Sequence, residues 1–176
     1  MFRHERPQKG RLRQFHQFGA ELFGSDSPLA DAEMLAFAHG FFAEAGLSEV
    51  SLEVNSLGDA DCRPAYHREL SAFLAAREGG LCDDCRRRRE RNPLRALDCK
   101  SEKCVRATEG APVLGEFLCG PCRDHFGAVE EALRGAQIPF ARNPRMVRGL
   151  DYYTRTTFEF VIPGMGAQNT VAAGGR

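Results

Sequence analysis

Residues 1–23 read MFRHERPQKGRLRQFHQFGAELF and predict the beginning of a sheet. A short strand is predicted over residues 2–6. The next four residues, Pro-Gln-Lys-Gly at 7–10, predict a turn, because proline fixes φ and glycine accepts a positive φ. Residues 12–23 suit a second strand, in which alternate side chains face opposite sides. The segment therefore predicts a strand–turn–strand unit.

One face of the second predicted strand is unusually polar for a strand in a core. Its alternate positions are Arg13, Phe15, Gln17, Gly19 and Glu21. A bound ligand would explain this polarity, and a solvated sheet face is the alternative. The arginines on both sides of the turn favour an anion, because a planar guanidinium matches phosphate oxygens.

Beyond residue 23 the chain alternates between helix and strand signals. Ser27 and Pro28 predict the start of a helix, which Gly46 ends. Apolar residues at alternate positions predict a strand over 50–56. Further predicted elements are helices that begin at Pro64 and Pro121 and strands over 138–142 and 153–162.

Residues 59–137 differ in composition and periodicity from the sequence on either side. The stretch 82–106 is rich in cysteine and arginine and shows little periodicity, whereas strand signals resume at residue 138. We therefore predict three parts: a first core part over 1–58, a small and mainly helical insertion over 59–137, and a second core part over 138–176. The predicted fold class is α+β.

The composition excludes several classes of protein. The 176 residues carry a formal net charge of zero, which excludes a chain that is basic or acidic throughout. No apolar run approaches the roughly 18 residues of a membrane-spanning helix. The N-terminus has no apolar segment behind its charges and is not a secretory signal. In a cytosolic compartment, which keeps thiols reduced, paired CxxC motifs indicate metal before disulfide.

Two CxxC motifs predict a structural zinc site in the insertion. A CxxC turn places two sulfurs near one ion, and a second turn completes a tetrahedral set. The preferred ligands are Cys82 and Cys85 with Cys119 and Cys122. The insertion has few large apolar residues, so a metal would help it to fold.

The other cysteines leave alternatives open. Cys104 is the most plausible substitute ligand, and Cys99 is the next. Cys62 stands alone and is interpreted as a packing residue. The alternative for the whole set is free thiols, or a vestigial site that holds no metal.

Two stretches resemble one known family. The string FRHERPQKGRLRQFHQ at 2–17 resembles motif 2 of class II aminoacyl-tRNA synthetases, a strand–loop–strand unit that holds ATP. The string VRGLDYYTRT at 147–156 resembles the histidine-specific signature of histidine–tRNA ligases. The terminal AGGR and the insertion text NPLR at 92–95 and LDCK at 97–100 are also similar to that family. The resemblance covers essentially the whole chain.

The resemblance implies a fold and an activity. The fold would be part of the antiparallel class II synthetase sheet with flanking helices. The activity would be ATP-dependent attachment of L-histidine to its tRNA through a histidyl-adenylate, with ATP used together with Mg²⁺. It also implies a cytoplasmic protein that is a homodimer when full length.

The resemblance assigns roles to arginines in both motifs. Arg3 resembles the motif 2 arginine at the α-phosphate and the histidine carboxylate. Arg11 lies where the motif 2 loop approaches ATP. Arg148 resembles the catalytic arginine of the family, which also acts at the α-phosphate.

The resemblance also places four residues in the amino-acid pocket. Gln17 and Glu21 match positions that line it, and Tyr152 and Tyr153 lie in the histidine signature. Glu21 can accept a hydrogen bond from an imidazole N–H, which discriminates against apolar amino acids. Tyr153 is the better candidate for an imidazole contact.

The chain also departs from the family pattern. It begins at motif 2, and it lacks motif 1, the upstream acidic segment, motif 3 and the anticodon-binding domain. We therefore expect an internal piece of a longer protein that has little or no ligase activity alone. The neighbouring coding sequence is expected to supply the other motifs.

Two other functions compete with this interpretation. One is a non-catalytic, synthetase-like regulatory subunit of histidine biosynthesis, a class that typically lacks the insertion. The other is a small zinc-dependent RNA-binding module in which the basic stretch 86–106 contacts phosphates. The insertion at 59–137 and the complete arginine-rich motif 2 favour the enzyme.

Overall fold

The computed structural model describes residues 1–4, 12–148, 152–164 and 169–176. Five α-helices and four strands are found in these residues, together with three short 3₁₀ turns. The helices are α1 Pro28–Glu44, α2 Arg63–Ala75, α3 Asp83–Arg91, α4 Glu102–Ala107 and α5 Gly120–Gly135. The strands are β1 Ser51–Ser56, β2 Phe140–Arg142, β3 Thr156–Val161 and β4 Thr170–Gly175.

The four strands form one sheet in the order β2-β1-β3-β4. At one end of β1 the Ser51 hydroxyl donates to the carbonyl of Val161 at 3.3 Å. Just past the other end, the amide of Leu57 donates to the carbonyl of Arg155 at 2.6 Å. The residue number of the hydrogen-bond partner falls from 161 to 155 as the chain runs from Ser51 to Leu57, so β1 and β3 are antiparallel. The expected α+β fold, a sheet with flanking helices, is confirmed.

Strand β1 shows the alternation that its sequence predicts. Leu52, Val54 and Ser56 are buried, whereas the two residues between them are half-buried. This period of two follows from the pleat of a strand, which turns successive side chains to opposite faces. The predicted strand at this place is therefore confirmed.

Helix α1 begins and ends where its sequence predicts. The Ser27 hydroxyl accepts a hydrogen bond from the amide of Leu29 at 3.2 Å, and Pro28 occupies the first turn. These contacts satisfy an amide that would have no partner inside the helix. Gly46, just past the last turn, has a φ of +75°, a left-handed conformation that favours glycine.

Residues 12–23 do not form the long strand that their alternation predicts. The amide of Arg3 donates to the carbonyl of Arg13 at 2.9 Å, and that of Phe15 donates to Met1 at 3.1 Å. These bonds surround one isolated antiparallel bridge, and no longer ladder involves these residues in the described part of the chain. A strand needs a neighbour along its whole length, which the short segment 1–4 cannot supply. The predicted turn at 7–10 lies outside the described residues.

The described chain divides into two compact units that differ from the three predicted parts. The first unit comprises Met1–Glu53, Gly127–Ala141 and Phe158–Gly174. The second comprises Val54–Phe126, Arg142–Thr157 and Gly175–Arg176. The three-part division over 1–58, 59–137 and 138–176 stays a prediction.

Each unit has its own apolar packing. In the first, Phe42 of α1 packs on Phe160 of β3 with ring centroids 5.1 Å apart. In the second, Tyr66, Leu70 and Leu74 of α2 are fully buried in a cluster that includes four buried cysteines. Among the described residues, no helix combines the length and the apolar composition that a membrane span requires.

Replacing Leu35 by alanine is expected to destabilise the first unit by about 2–5 kcal/mol, because it leaves a cavity in a packed core. Leu35 is 1% exposed, whereas Leu29 on the same helix is 63% exposed. Leu29→Ala is the matched control, and its expected cost is about 0.5 kcal/mol or less. Urea denaturation measures both, and equal losses for the two variants would contradict the predicted burial.

Candidate functional site

Arg3 lies on the short antiparallel pairing between the first residues of the chain and residues 13–15. Its amide is held by Arg13, and its guanidinium lies over the Phe15 ring, 4.7 Å from the centroid. This cation–π contact orients the group while the side chain stays exposed. An exposed, oriented guanidinium is suited to bind an anionic ligand. Arg11, the second predicted ATP contact, lies outside the described residues.

Gln17 and Glu21 lie in an extended segment between this pairing and α1. Both are exposed. Phe18, which lies between them in sequence, packs edge-on against Phe41 of α1 at 4.7 Å between ring centroids. That contact fixes the segment to the helix and leaves the two polar side chains accessible to a solute.

Tyr153 is held by contacts on its backbone and on its ring. Arg63 of α2 donates from its guanidinium to the Tyr153 carbonyl, and also to the Leu57 carbonyl at 3.1 Å. A Cβ placed on Gly175 would lie 3.0 Å from the Tyr153 ring, so glycine allows this close approach. The ring is half-buried as a result.

Arg148 and Tyr152 act electrostatically on the Tyr153 hydroxyl. Burial, and then the neighbouring Tyr152, raise the pKa of Tyr153, while the Arg148 guanidinium acts in the opposite direction. The two tyrosine rings meet edge to face at 5.1 Å, and Tyr152 is 75% exposed. The two tyrosines are therefore in contact within the second unit, and Arg148 acts on Tyr153 through its charge. Residues 149–151 between them lie outside the described part of the chain.

Arg145 was not singled out from the sequence, yet it anchors the segment that leads to Arg148. Its guanidinium donates to the Thr108 hydroxyl at 2.7 Å and to the Thr108 carbonyl at 3.2 Å. It also reaches the Leu97 carbonyl at 3.4 Å. Only tertiary contacts identify this role, because the three residues are far apart in sequence.

The predicted site residues divide between the two units. Arg3, Gln17 and Glu21 belong to the first, and Arg148, Tyr152 and Tyr153 belong to the second. Within the second unit the rings of the two tyrosines are in contact. The convergence of both sets on one cavity stays a prediction.

The first cysteine group consists of Cys82, Cys85, Cys99 and Cys104. Their sulfur atoms all lie within 4.8 Å of one another. Cys82 precedes α3, Cys85 lies in its first turn and Cys104 lies in α4. The backbone amide of Cys85 lowers the pKa of the Cys82 thiol to about 7. Burial raises the pKa of Cys85 and of Cys104.

The second cysteine group consists of Asp59, Cys62, Cys119 and Cys122. One ligand atom from each lies within 4.8 Å of all the others. The Cys122 thiol donates to the Asp59 carboxylate at 3.0 Å. Hydrogen bonds from Cys122 and Cys62 hold the pKa of Asp59 below its usual range.

The structure does not bring the four preferred zinc ligands together. Cys82 and Cys85 belong to the first group, and Cys119 and Cys122 belong to the second. Cys62, interpreted as a packing residue, lies among the second set. One signal could have found this set, because Asp59 and Cys62 have the same spacing as the two cysteines of a CxxC pair.

Comparison with known proteins identifies the family. The profile described as histidyl-tRNA synthetase matches residues 1–176. The chain is 60% identical over 176 residues to the histidine–tRNA ligase of Trichlorobacter lovleyi and 58% identical to that of Geobacter metallireducens. All of this chain is matched, which is 42% and 43% of the two relatives. The chain therefore spans less than half the length of these relatives.

A solved structure agrees with this similarity. The crystal structure of apo S. aureus histidyl-tRNA synthetase superposes with a TM-score of 0.65 at 32% sequence identity. The superposition covers 86% of this chain and 37% of that one. With the profile match over all 176 residues, these similarities establish that the chain belongs to the histidyl-tRNA synthetase family.

Proposed function

We propose that the protein containing this chain attaches L-histidine to its tRNA with ATP, through a histidyl-adenylate. The observation that carries the proposal is the match of all 176 residues to one synthetase family. Relatives at 53–60% identity are named histidine–tRNA ligase, which favours the enzyme over a regulatory subunit. Because the chain spans 42% of the first of them, the whole activity depends on further sequence.

The reaction has two steps. In the first, a histidine carboxylate oxygen attacks the α-phosphorus of ATP, which is bound as its magnesium complex. The bond from the α-phosphorus to the bridging oxygen breaks, and pyrophosphate leaves with the electron pair. In the second, a hydroxyl of the terminal tRNA ribose attacks the histidyl carbonyl, and AMP leaves. No covalent enzyme intermediate is required, so positioning and charge stabilisation carry the chemistry.

Arginines supply the positive charge in this proposal. Arg3 and Arg148 would stabilise charge that develops on the α-phosphate, and Arg11 would contact ATP. The exposed guanidinium of Arg3 over Phe15 supports its role. The charge of Arg148 acts on the Tyr153 hydroxyl, which is consistent with a role near the bound histidine. A guanidinium keeps its charge at every working pH.

Recognition of histidine is assigned to polar groups. Glu21 and Gln17 would hydrogen-bond the substrate, and Tyr153 would contact its imidazole, with Tyr152 beside it. A pocket built to pair with an N–H rejects analogues that lack one, because its own polar groups then stay unpaired. The exposure of Gln17 and Glu21 leaves both side chains available to a ligand.

Histidine-dependent exchange of pyrophosphate into ATP tests the proposal. We expect the full-length protein encoded around these residues to catalyse exchange with histidine and not with the other amino acids. The 176-residue chain alone is expected to show little or no exchange, because residues of the expected flanking motifs are needed for ATP. Full-length protein without histidine-dependent exchange would refute the proposal, and exchange by the chain alone would refute the expected dependence on flanking motifs.

A further inference from the structure

We propose that this chain binds two zinc ions, one in the first cysteine group and one in the second, each as a structural metal. The sequence predicts a single site that mixes the two CxxC pairs. The structure instead offers two four-membered sets, Cys₄ and AspCys₃. The proposal concerns metal content and is independent of the ligase activity.

The first group has the dimensions of a tetrathiolate zinc site. A zinc–sulfur bond of about 2.3 Å and tetrahedral angles place neighbouring sulfurs about 3.8 Å apart. The sulfurs of Cys82 and Cys99 are 3.9 Å apart. A disulfide requires about 2.05 Å, and all seven cysteines are free thiols. A small movement of the side chains would therefore admit an ion at the centre.

The second group fits a site with three sulfurs and one oxygen. With a zinc–oxygen bond of about 2.1 Å, a ligand sulfur and oxygen lie about 3.6 Å apart. The Cys119 sulfur lies 3.6 Å from the nearer Asp59 oxygen, and the Cys122 sulfur lies 3.0 Å from it. A bound ion would replace the Cys122 thiol proton that now bridges this pair.

The two groups share a hydrogen-bond pattern that suits ligand thiolates. In the first group the amide of Cys82 donates to the Cys104 sulfur at 3.1 Å. In the second the amide of Cys119 donates to the Cys62 sulfur, also at 3.1 Å. In both cases the donor is the first cysteine of a CxxC pair. Amides directed at ligand sulfurs hold the ligands in orientation and stabilise their negative charge.

The donor sets select the metal and its role. Thiolates are soft ligands that favour zinc over magnesium or calcium, which prefer oxygen. Four protein ligands leave no open position for substrate, so each site is structural. A divalent ion at the second group would link Asp59, three residues past the end of β1, to residues 119 and 122 at the start of α5. Ligation at Cys62 would also fix the adjacent Arg63, which holds the Tyr153 carbonyl.

The chain itself, purified under reducing conditions without chelator, tests the proposal. We expect two zinc ions and seven titratable thiols per chain by metal analysis and thiol titration. Zinc-edge X-ray absorption should give seven sulfur ligands and one oxygen for each pair of ions. A chain isolated without metal should take up two equivalents of Co²⁺ with sulfur-to-cobalt charge-transfer bands. Uptake of one equivalent or none would overturn the proposal.

Single substitutions assign each ion to its group. Cys104→Ser and Cys122→Ser should each remove one ion and leave the other, while Lys103→Ala, beside the first site, should retain both. At a chelator concentration that leaves both ions on the wild-type chain, the Asp59→Asn chain should lose one ion. The matched control, Asp61→Asn, should keep both ions under the same conditions. Loss of both ions from either single cysteine variant that remains folded would indicate one shared cluster and overturn the proposal. If the cysteine variants do not fold, the proposal is tested by the number of zinc ions bound to the wild-type chain and by the comparison of Asp59→Asn with Asp61→Asn.

Discussion

Replacing Arg148 by alanine in the full-length protein is expected to lower histidine-dependent pyrophosphate exchange by about 10²- to 10³-fold. The guanidinium acts electrostatically on Tyr153, and in our proposal it stabilises charge on the α-phosphate. An electrostatic group that acts mainly in the transition state lowers kcat more than it raises KM when it is removed. Steady-state exchange over a range of histidine and ATP concentrations separates the two effects.

Two variants make the Arg148 result interpretable. Arg148→Lys keeps the charge but loses the planar, two-pronged donor geometry, so an intermediate rate is expected. Arg106→Ala removes an exposed arginine of α4 and should leave exchange unchanged. An Arg148→Ala protein with normal exchange, or one whose only change is a raised KM for histidine, would remove Arg148 from the proposed catalytic role.

Removing zinc from the 176-residue chain is expected to unfold most of the second unit. Structural zinc sites bind their ion with an apparent free energy of about 10–16 kcal/mol. Because the ion binds the folded chain and not the unfolded one, this binding energy stabilises the folded state. Whole domains are stable by only about 5–15 kcal/mol, so losing two ions would leave little margin. Amide hydrogen exchange with and without a strong chelator measures the loss unit by unit.

The hydrogen-exchange experiment has an internal control in the first unit. Amides around Leu35, in the middle of α1, should keep more of their protection, since neither cysteine group belongs to that unit. Chelator that is saturated with zinc beforehand should have no effect, and added zinc should restore protection. Unchanged protection of α2 and α4 in a chain shown to be metal-free would contradict a stabilising role for the ions.

Local signals predicted several helices and strands correctly. Helix α1 follows from Ser27, Pro28 and Gly46, whose capping and φ preferences act within a few residues. Strand β1 follows from its alternation, because burial on one face of a sheet has a period of two. These predictions succeed because the responsible interactions are short-range.

The predicted strand over 12–23 shows where local pattern is insufficient. The alternation of its side chains is present, yet only its first residues pair with another segment in the described part of the chain. A strand is defined by backbone hydrogen bonds to a partner, and the partner is not encoded in the strand itself. The side-chain pattern therefore predicted an extended conformation, but it could not predict the backbone hydrogen bonds to a partner strand.

The sequence by itself determined the family, through two long matching strings, and it determined that cysteines at CxxC spacing occur in pairs. Only the tertiary structure decided how the pairs combine. Cys82 and Cys85 lie close to Cys99 and Cys104, whereas Cys119 and Cys122 lie close to Asp59 and Cys62. The physical reason is that spacing fixes the distance between two sulfurs of one turn, whereas the distance between turns depends on how helices pack.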